Sequence, residues 1–526
     1  MKVKSIGKVN IIGSGLAGLS AAISLAENGI PVNLLSVQGS GRAQSNLAEG
    51  GINAALDVMG EDDTVNEHFE DTMKSGCYLA GPEMVRGLTS MAPEIVRQLD
   101  IAGVPFNRRD GHIIQRNFGG QKKKRTAFAK SSTGKMIMTA LTDAARRYEA
   151  QGLIIRFPQH VFVSADIKDG ACSGLRAYDI FRRKGLHLYG PVIMACGGMS
   201  GMFAGHTTGT AVNTGLAAAE LFCSGAELGN MELIQYHPTT FRIDDKRLLV
   251  SEAARGEGGR LFFDDNGKRN YFMEEKFGER GNLMPRDVVS REMERCGRQI
   301  FLDMSSVGND IWENNLSDMR EEIIHYSRLD PAKEPIPVSP GIHYFMGGIL
   351  TDISHRTNIK GLFAAGECAC AYHGAGRLGG NSLLGALYGG HIAALSVYDD
   401  IKKYGTEVAG MADDEEMGYD ITESDDEKRS GKELCKTVLK GMGILRNEEG
   451  IKASLDEVKE LRIKAVSKRI ERKALLMEAM LLSALNRKES RGAHVRTDYP
   501  ETLDEYRKIS VAEYKDGDIR ISLRDI

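Results

Sequence analysis

The sequence predicts an α/β protein built on a mostly parallel sheet, with an inserted α+β region and a helical C-terminal region. Three observations predict it. A glycine-rich turn, Gly13-Ser14-Gly15-Leu16-Ala17-Gly18, lies between a short apolar strand and a helix near the start of the chain. Further apolar runs end on glycine turns much later, at Gly197-Gly198 and at Gly366. From Lys432 to Leu485, apolar residues recur at helical spacing.

The elements follow in order. Val9–Ile12 reads as a strand, Leu19–Glu27 as a helix closed by Asn28-Gly29, and Val32–Leu35 as the next strand. In this strand–GxGxxG–helix–strand setting Gly13 permits the tight turn and Gly15 lets backbone N–H groups approach a pyrophosphate. Gly18 lets the helix pack on the sheet. The free N–H groups and dipole of the helix N-terminus favour that anion. This is a Rossmann-like dinucleotide site. The second strand runs out at Ser36-Val37 without the acid that usually holds a ribose, which tells against a plain NAD site. Val192–Met194 and Leu362–Ala364 are buried strands, and Arg377–Ser382 leads into a helix through Ala394. Together they predict one parallel sheet assembled from residues 1–231 and 339–405, interrupted by an inserted domain at 232–338. Residues 413–427 hold nine acids, so 406–430 reads as a solvated linker. Residues 431–526 form a helical domain and then a polar tail, after Arg487, expected to lie over the surface.

Composition excludes other classes. At about 150 residues per domain, 526 residues suggest three or four domains. Apolar residues at 42% and charged residues at 27% give the balance of a soluble protein able to bury a core without disulfides. Glycine is 60 of 526 with no collagen period or low-complexity tract, so it serves turns and close backbone approaches. Lys+Arg 68 against Asp+Glu 72 argues against a nucleic-acid or anionic-membrane partner. Eight scattered cysteines form no CxxC or CxxCH, which reads as a reducing compartment and as no metal or haem of the chain's own. No apolar stretch of signal length precedes the first strand, and none reaches bilayer length. The expectation is a cytoplasmic protein without membrane insertion.

Several collinear segments resemble the flavoprotein subunit of fumarate reductase and succinate dehydrogenase, a family that includes L-aspartate oxidase. They are Ala48–Ile52, Phe118–Gln121, Gly229–Glu232 with Gln235–Thr239, Ser251–Gly256, Pro285–Arg291, His343–Gly348, Gly361–Ser382 and Ser490–His494. The resemblance implies a Rossmann-like FAD-binding domain, an inserted α+β capping domain and a C-terminal helical domain. It implies that Gly13, Ser14, Gly15, Ala17, Gly18 and Ser36 hold the FAD diphosphate and adenosine ribose, with Val161 on the same cofactor. Gln44, Ser45, Gly50 and Gly51 would line the isoalloxazine, and Ala195, Gly197, Glu367, Arg377, Ser382 and Leu383 would complete the flavin site. A helix starting near Ser382 would aim its positive end at the ring, or Asn381-Ser382 would simply cap it.

The same resemblance implies a dicarboxylate held by His237, Ser251, His343 and Arg377, with Gly51 and Phe118 beside it. Arg286 would be the proton donor, recharged through Glu252 and Arg255. It implies fumarate reduction, with a separate iron–sulfur subunit as the usual electron donor. L-aspartate oxidation, reduction of another unsaturated acid, and a flavin-binding redox sensor are the alternatives.

Three departures stand out. Arg42-Ala43-Gln44-Ser45 puts Gln44 where respiratory members carry the histidine that binds FAD covalently, so the FAD is expected to be non-covalent. Lys130–Lys135 lacks an Asp and a final His, and Gly215-Leu216-Ala217 replaces a Gly-Asp-Gly turn. Both are expected on the flavin side. The Gln121–Arg125 run reads as a solvated loop face rather than a docking patch, and Cys368 and Cys370 as small buried residues beside the flavin.

Overall fold

Five parallel strands carry the glycine-rich turn, in the order Leu362–Ala364, Val192–Met194, Val9–Ile12, Val32–Ser36, Ile154–Pro158. The computed structural model describes residues 8–243, 246–405, 411–414, 418–420 and 422–526. Val9 to Ile12 are buried on both faces, which is why the strand is a continuous apolar run. The following helix starts earlier than its apolar pattern suggests, at Leu16, directly after the turn. Gly13 has φ +116°, and a Cβ there would lie 2.0 Å from the Ala195 carbonyl oxygen of the adjacent strand. A Cβ on Gly18 would lie 1.8 Å from the Gly13 carbonyl oxygen. Both positions therefore admit only glycine, for the reasons the motif suggests: a tight turn and close helix packing.

Between the fourth and fifth of these strands in sequence lies a separate antiparallel sheet of six, ordered Lys246–Leu249, Ile234–Ile243, Ile336–Phe345, Ile300–Asp303, Arg260–Asp265, Lys268–Asn270. Its two long strands are register partners from Ile234↔Phe345 onward. Helices Arg286–Cys296 and Ser317–Ser327 belong to the same stretch, and its core gathers Val250, Leu261, Val289, Leu302, Trp312 and Ile336.

Three expectations differ from the structure. The acidic stretch is not uniformly solvated. Met411–Asp414 adds an edge strand to Lys184–Tyr189, Tyr419 packs 5.7 Å from Tyr178, and a helix begins at Asp425 under a Ser424/Glu427 capping box. Residues 406–410, 415–417 and 421 of that stretch fall outside the described residues. The polar tail does not drape. Ile509–Lys515 and Asp518–Arg524 form a hairpin paired to Leu228–Gly229, and the fully buried Arg487 joins Glu232 at 2.6 Å and Glu489 at 3.0 Å. The basic run is not one solvated face. Lys122 and Lys124 are exposed, but Arg125 is buried between Asp63 at 2.9 Å and Asp71 at 3.0 Å, and Gln121 donates to Asn53 Oδ1 at 2.9 Å. Each of these polar groups is inside because a partner distant in sequence neutralises it.

Among the described residues, no helix is long and apolar enough to cross a membrane, and no group of three or more His, Cys, Asp or Glu could hold a metal ion.

Candidate active site

One cavity of about 680 Å³ opens between the parallel sheet and the six-stranded sheet. Gly13, Ser14, Gly15, Ala17 and Ser36 line it, as do Val161, Ala195 and Gly197. Gln44, Ser45, Gly50 and Gly51 line it with Glu367, Ser382 and Leu383. His237, Ser251, Glu252, Arg286, His343, Arg377 and Phe118 face the same space. Gly18 lies behind the wall as a packing residue, and Arg255 stands one step back behind Glu252.

The cavity fits a dinucleotide. Gly15 is the N-cap of the Leu16–Glu27 helix and provides no capping side chain; Ser45 Oγ accepts the Leu16 N–H at 3.3 Å, and the remaining first-turn N–H groups are left for an anion. A Cβ at Gly15 would meet nothing nearer than Ser45 Oγ at 3.5 Å, which keeps that approach open. Gln44 Oε1 accepts the Thr210 N–H at 2.6 Å and so ties the loop after Arg42 to the loop after His206. Burial pushes the Glu367 carboxyl up to about 7, although the Phe345 N–H donates to it at 3.2 Å. The second helix at the cavity begins at Asn381 with Gly380 as N-cap and no side-chain cap. Asn381 is occupied elsewhere, taking the Asn53 amide at 2.7 Å and donating to Thr72 at 3.0 Å, which corrects the simple capping reading.

The departures separate. Gly215, Leu216 and Ala217 do line the cavity. Lys130–Lys135 does not: Ser132 Oγ donates to Asp318 at 2.6 Å and Ser131 Oγ to the Asn315 carbonyl at 3.2 Å. Gly134 packs against the Ser45 carbonyl from behind.

A chain of buried charges crosses the far wall. Arg286 begins the helix after Pro285 and donates through Nε and Nη2 to Glu252 Oε2, at 2.9 and 2.6 Å. Its Nη1 donates to Gln235 Oε1 at 3.1 Å. Glu252 Oε1 accepts Arg255 Nη2 at 3.1 Å and the Gly119 N–H at 3.2 Å. Burial would push the Glu252 carboxyl up, but Arg286 and Arg255 outweigh it and hold it below the usual carboxylate range. Ser251 caps the short Glu252–Gly256 helix through the Ala253 N–H, and this sets the direction in which Glu252 and Arg255 emerge. Arg286 is only 7% exposed, and its ion pair with Glu252 at 2.6 Å lies inside the protein.

His237 and His343 face each other with ring centroids 5.1 Å apart. Burial, then the nearby Arg286, holds both imidazoles well below their ordinary value, so both are neutral. Arg377 is 3% exposed and lies over the Tyr344 ring at 4.5 Å. It has no carboxylate partner among the described residues, and its Nε has no hydrogen-bond acceptor. Burial, then the nearby Arg286, pulls it down to about 9, which Tyr344, Glu367 and Glu252 offset only in part. Gln235 Nε2 donates to the Arg377 carbonyl at 2.9 Å. Sequence reasoning assigned no role to Gln235, Tyr344 or Thr208; Gln235 lay inside a quoted motif, and Thr208 carried no signal.

A glycine-turn helix N-terminus and a buried Arg–Glu–Arg chain on one cavity define a dinucleotide-dependent oxidoreductase. Residues 8–383 match the FAD binding domain family, and residues 469–526 match the fumarate reductase flavoprotein C-terminal family. The chain is 36% identical to the succinate dehydrogenase flavoprotein subunit of Bacillus subtilis, over 97% of this chain and 94% of that one. It is 34% identical to L-aspartate oxidase of Pyrococcus horikoshii, over 95% and 97%. Its fold superposes on the FrdA chain of E. coli quinol fumarate reductase with a TM-score of 0.87, at 29% identity over 99% and 96% of the two chains. The protein belongs to the FAD-binding fumarate reductase/succinate dehydrogenase flavoprotein family and is an FAD-dependent oxidoreductase.

Proposed function

We propose that the protein reduces the carbon–carbon double bond of an unsaturated dicarboxylate, fumarate to succinate, with FAD held non-covalently. The observation that carries this reading is Arg377, a buried cation on the cavity wall that makes no ion pair with a carboxylate among the described residues. A buried charge is costly unless it is paired, so the missing partner is an anion that enters from outside. One carboxylate meets the fork of Arg377, and the neutral His237 and His343 with Ser251 take the other oxygens.

FAD, when bound, supplies the hydride that adds to one carbon. The proton for the neighbouring carbon comes from Arg286, whose two contacts to Glu252 and one to Gln235 fix its direction. Arginine gives up a proton rarely, so the step needs immediate replacement, and Glu252 with Arg255 forms the return route from behind. Residues 232–338 act as the cap that brings Arg286 over the cofactor and excludes water. Gln44 offers no nucleophilic imidazole to the flavin and is engaged with Thr210, which supports untethered FAD. Electrons arrive from a separate donor, an iron–sulfur subunit in this reading.

The test is oxidation of a reduced dye by the purified holoenzyme with fumarate, other unsaturated acids, and, in a separate arm, L-aspartate with oxygen. Fumarate-dependent oxidation is expected. Peroxide formed from L-aspartate without fumarate reduction would replace this reading with an oxidase.

A further inference from the structure

His343 depends on a residue from a different part of the chain. The His206–Thr210 segment runs beside the strand that carries His343: the Thr208 N–H donates to the Ile342 carbonyl at 3.0 Å and the Ile342 N–H to the His206 carbonyl at 2.9 Å. Thr207 and Ile342 form a parallel bridge. This clamp sets Thr208 Oγ1 2.8 Å from His343 Nδ1. Among the described residues nothing hydrogen-bonds His343 Nε2, and the ring lines the cavity.

A neutral imidazole has one N–H and one lone pair, and the bond made by one nitrogen decides which remains at the other. If Nδ1 carried the proton, Nε2 would present a lone pair to an arriving carboxylate and repel it. With the Thr208 hydroxyl donating to Nδ1, Nε2 carries the proton and attracts it. His237 is held differently. Its Nδ1 lies 3.3 Å from the Thr239 main-chain nitrogen, 3.2 Å from the Thr239 carbonyl and 3.4 Å from the Thr239 hydroxyl, so removing that hydroxyl still leaves main-chain partners. At His343, among the described residues, the Thr208 hydroxyl at 2.8 Å is the one partner of Nδ1, with no main-chain group beside it.

We propose that Thr208 is a positioning residue whose hydroxyl donates to His343 Nδ1 and fixes the tautomer that presents Nε2–H to the substrate carboxylate. The inference rests on the dicarboxylate reading of the cavity. Thr208 touches neither substrate nor cofactor in this role. Its segment also carries Thr210, whose N–H meets Gln44, so the same strap reaches the cofactor side and the substrate side of the cavity.

The test compares wild-type, Thr208→Val and Thr208→Ser holoenzymes. Malonate, a dicarboxylate without a double bond to reduce, is titrated into each and followed by perturbation of the bound flavin's absorbance. Valine keeps the volume and removes the hydroxyl; serine restores it. FAD content and far-UV circular dichroism verify that each variant is folded, and Thr208→Ala replaces the valine variant if that one loses FAD. A hydrogen bond of ordinary strength predicts malonate binding weaker by about fivefold in Thr208→Val, with serine within about twofold of wild type. The KM for fumarate should rise in parallel while kcat changes less. A loss below about threefold in the valine variant, or an equal loss in serine, overturns the assignment while leaving the dicarboxylate reading intact. Wild-type holoenzyme that shows no malonate perturbation overturns that reading, and this inference with it.

Discussion

Replacing Arg286 by glutamine removes the proposed proton donor while keeping a long polar side chain. Arg286 makes three buried contacts, two to Glu252 and one to Gln235. A glutamine amide can retain one of them but has no proton to release at this site. A positioned general acid contributes about 10²–10⁴-fold, so Arg286→Gln is expected to lose at least ~10²-fold in kcat. The structural cost is smaller. Glu252 loses charged hydrogen bonds worth about 1.5–3 kcal/mol but keeps Arg255 and the Gly119 N–H, and the new amide recovers part of the loss. The variant should therefore fold and retain FAD. The assay is fumarate-dependent oxidation of a reduced dye at saturating fumarate, with flavin content measured on the same preparation. Malonate affinity should fall far less than kcat, because Arg377, His237 and His343 remain. A variant that keeps more than about a tenth of wild-type turnover refutes the role of Arg286. A kcat loss matched by an equal loss of malonate affinity refutes it too, since Arg286 would then be a binding group.

Acid precipitation of the holoenzyme should release yellow flavin into the supernatant, as expected for Gln44 in place of a linking histidine; colour in the pellet contradicts this. Arg377→Met should weaken malonate binding by at least ~10-fold, since a charged hydrogen-bond donor worth about 1.5–3 kcal/mol is lost, and unchanged affinity in a flavin titration would remove the basis of the dicarboxylate reading. Between about pH 6.5 and 8, malonate affinity should stay flat in a Glu367→Gln background, which removes the cavity carboxyl that burial pushes up to about 7. A histidine that had to be charged would lose affinity as pH rises through its ordinary value near 6.5, whereas His237 and His343 are held well below that and are neutral throughout. A steady tenfold fall per pH unit across this range would show a titrating imidazole.

The parts of the fold legible in the sequence are those with local causes. Gly13 and Gly18 are required by contacts within the turn and its adjoining strand, so a short motif announces them. The strands at Val9–Ile12 and Val192–Met194 are buried on both faces and appear as apolar runs. Charges that are neutralised from afar were not legible. Arg125 and Arg487 look like surface residues until Asp63 and Glu232 reach them. In the cavity, Arg286 and Glu252 belong to quoted motifs, but their bond joins residues 34 apart and is visible only in the fold. Thr208 reaches His343 across 135 residues, and no pattern of spacing encodes that.

The pairing of Ile234 with Phe345 bears on how the chain assembles. The parallel sheet needs Leu362–Ala364 beside Val192–Met194, strands separated by the whole six-stranded sheet in sequence. Closing so long a loop is slow because its entropy must be lost before its contacts form. The intervening sheet draws its two ends into neighbouring register, so once it has formed, the distant halves of the cofactor fold emerge side by side. It thereby shortens the effective tether between them.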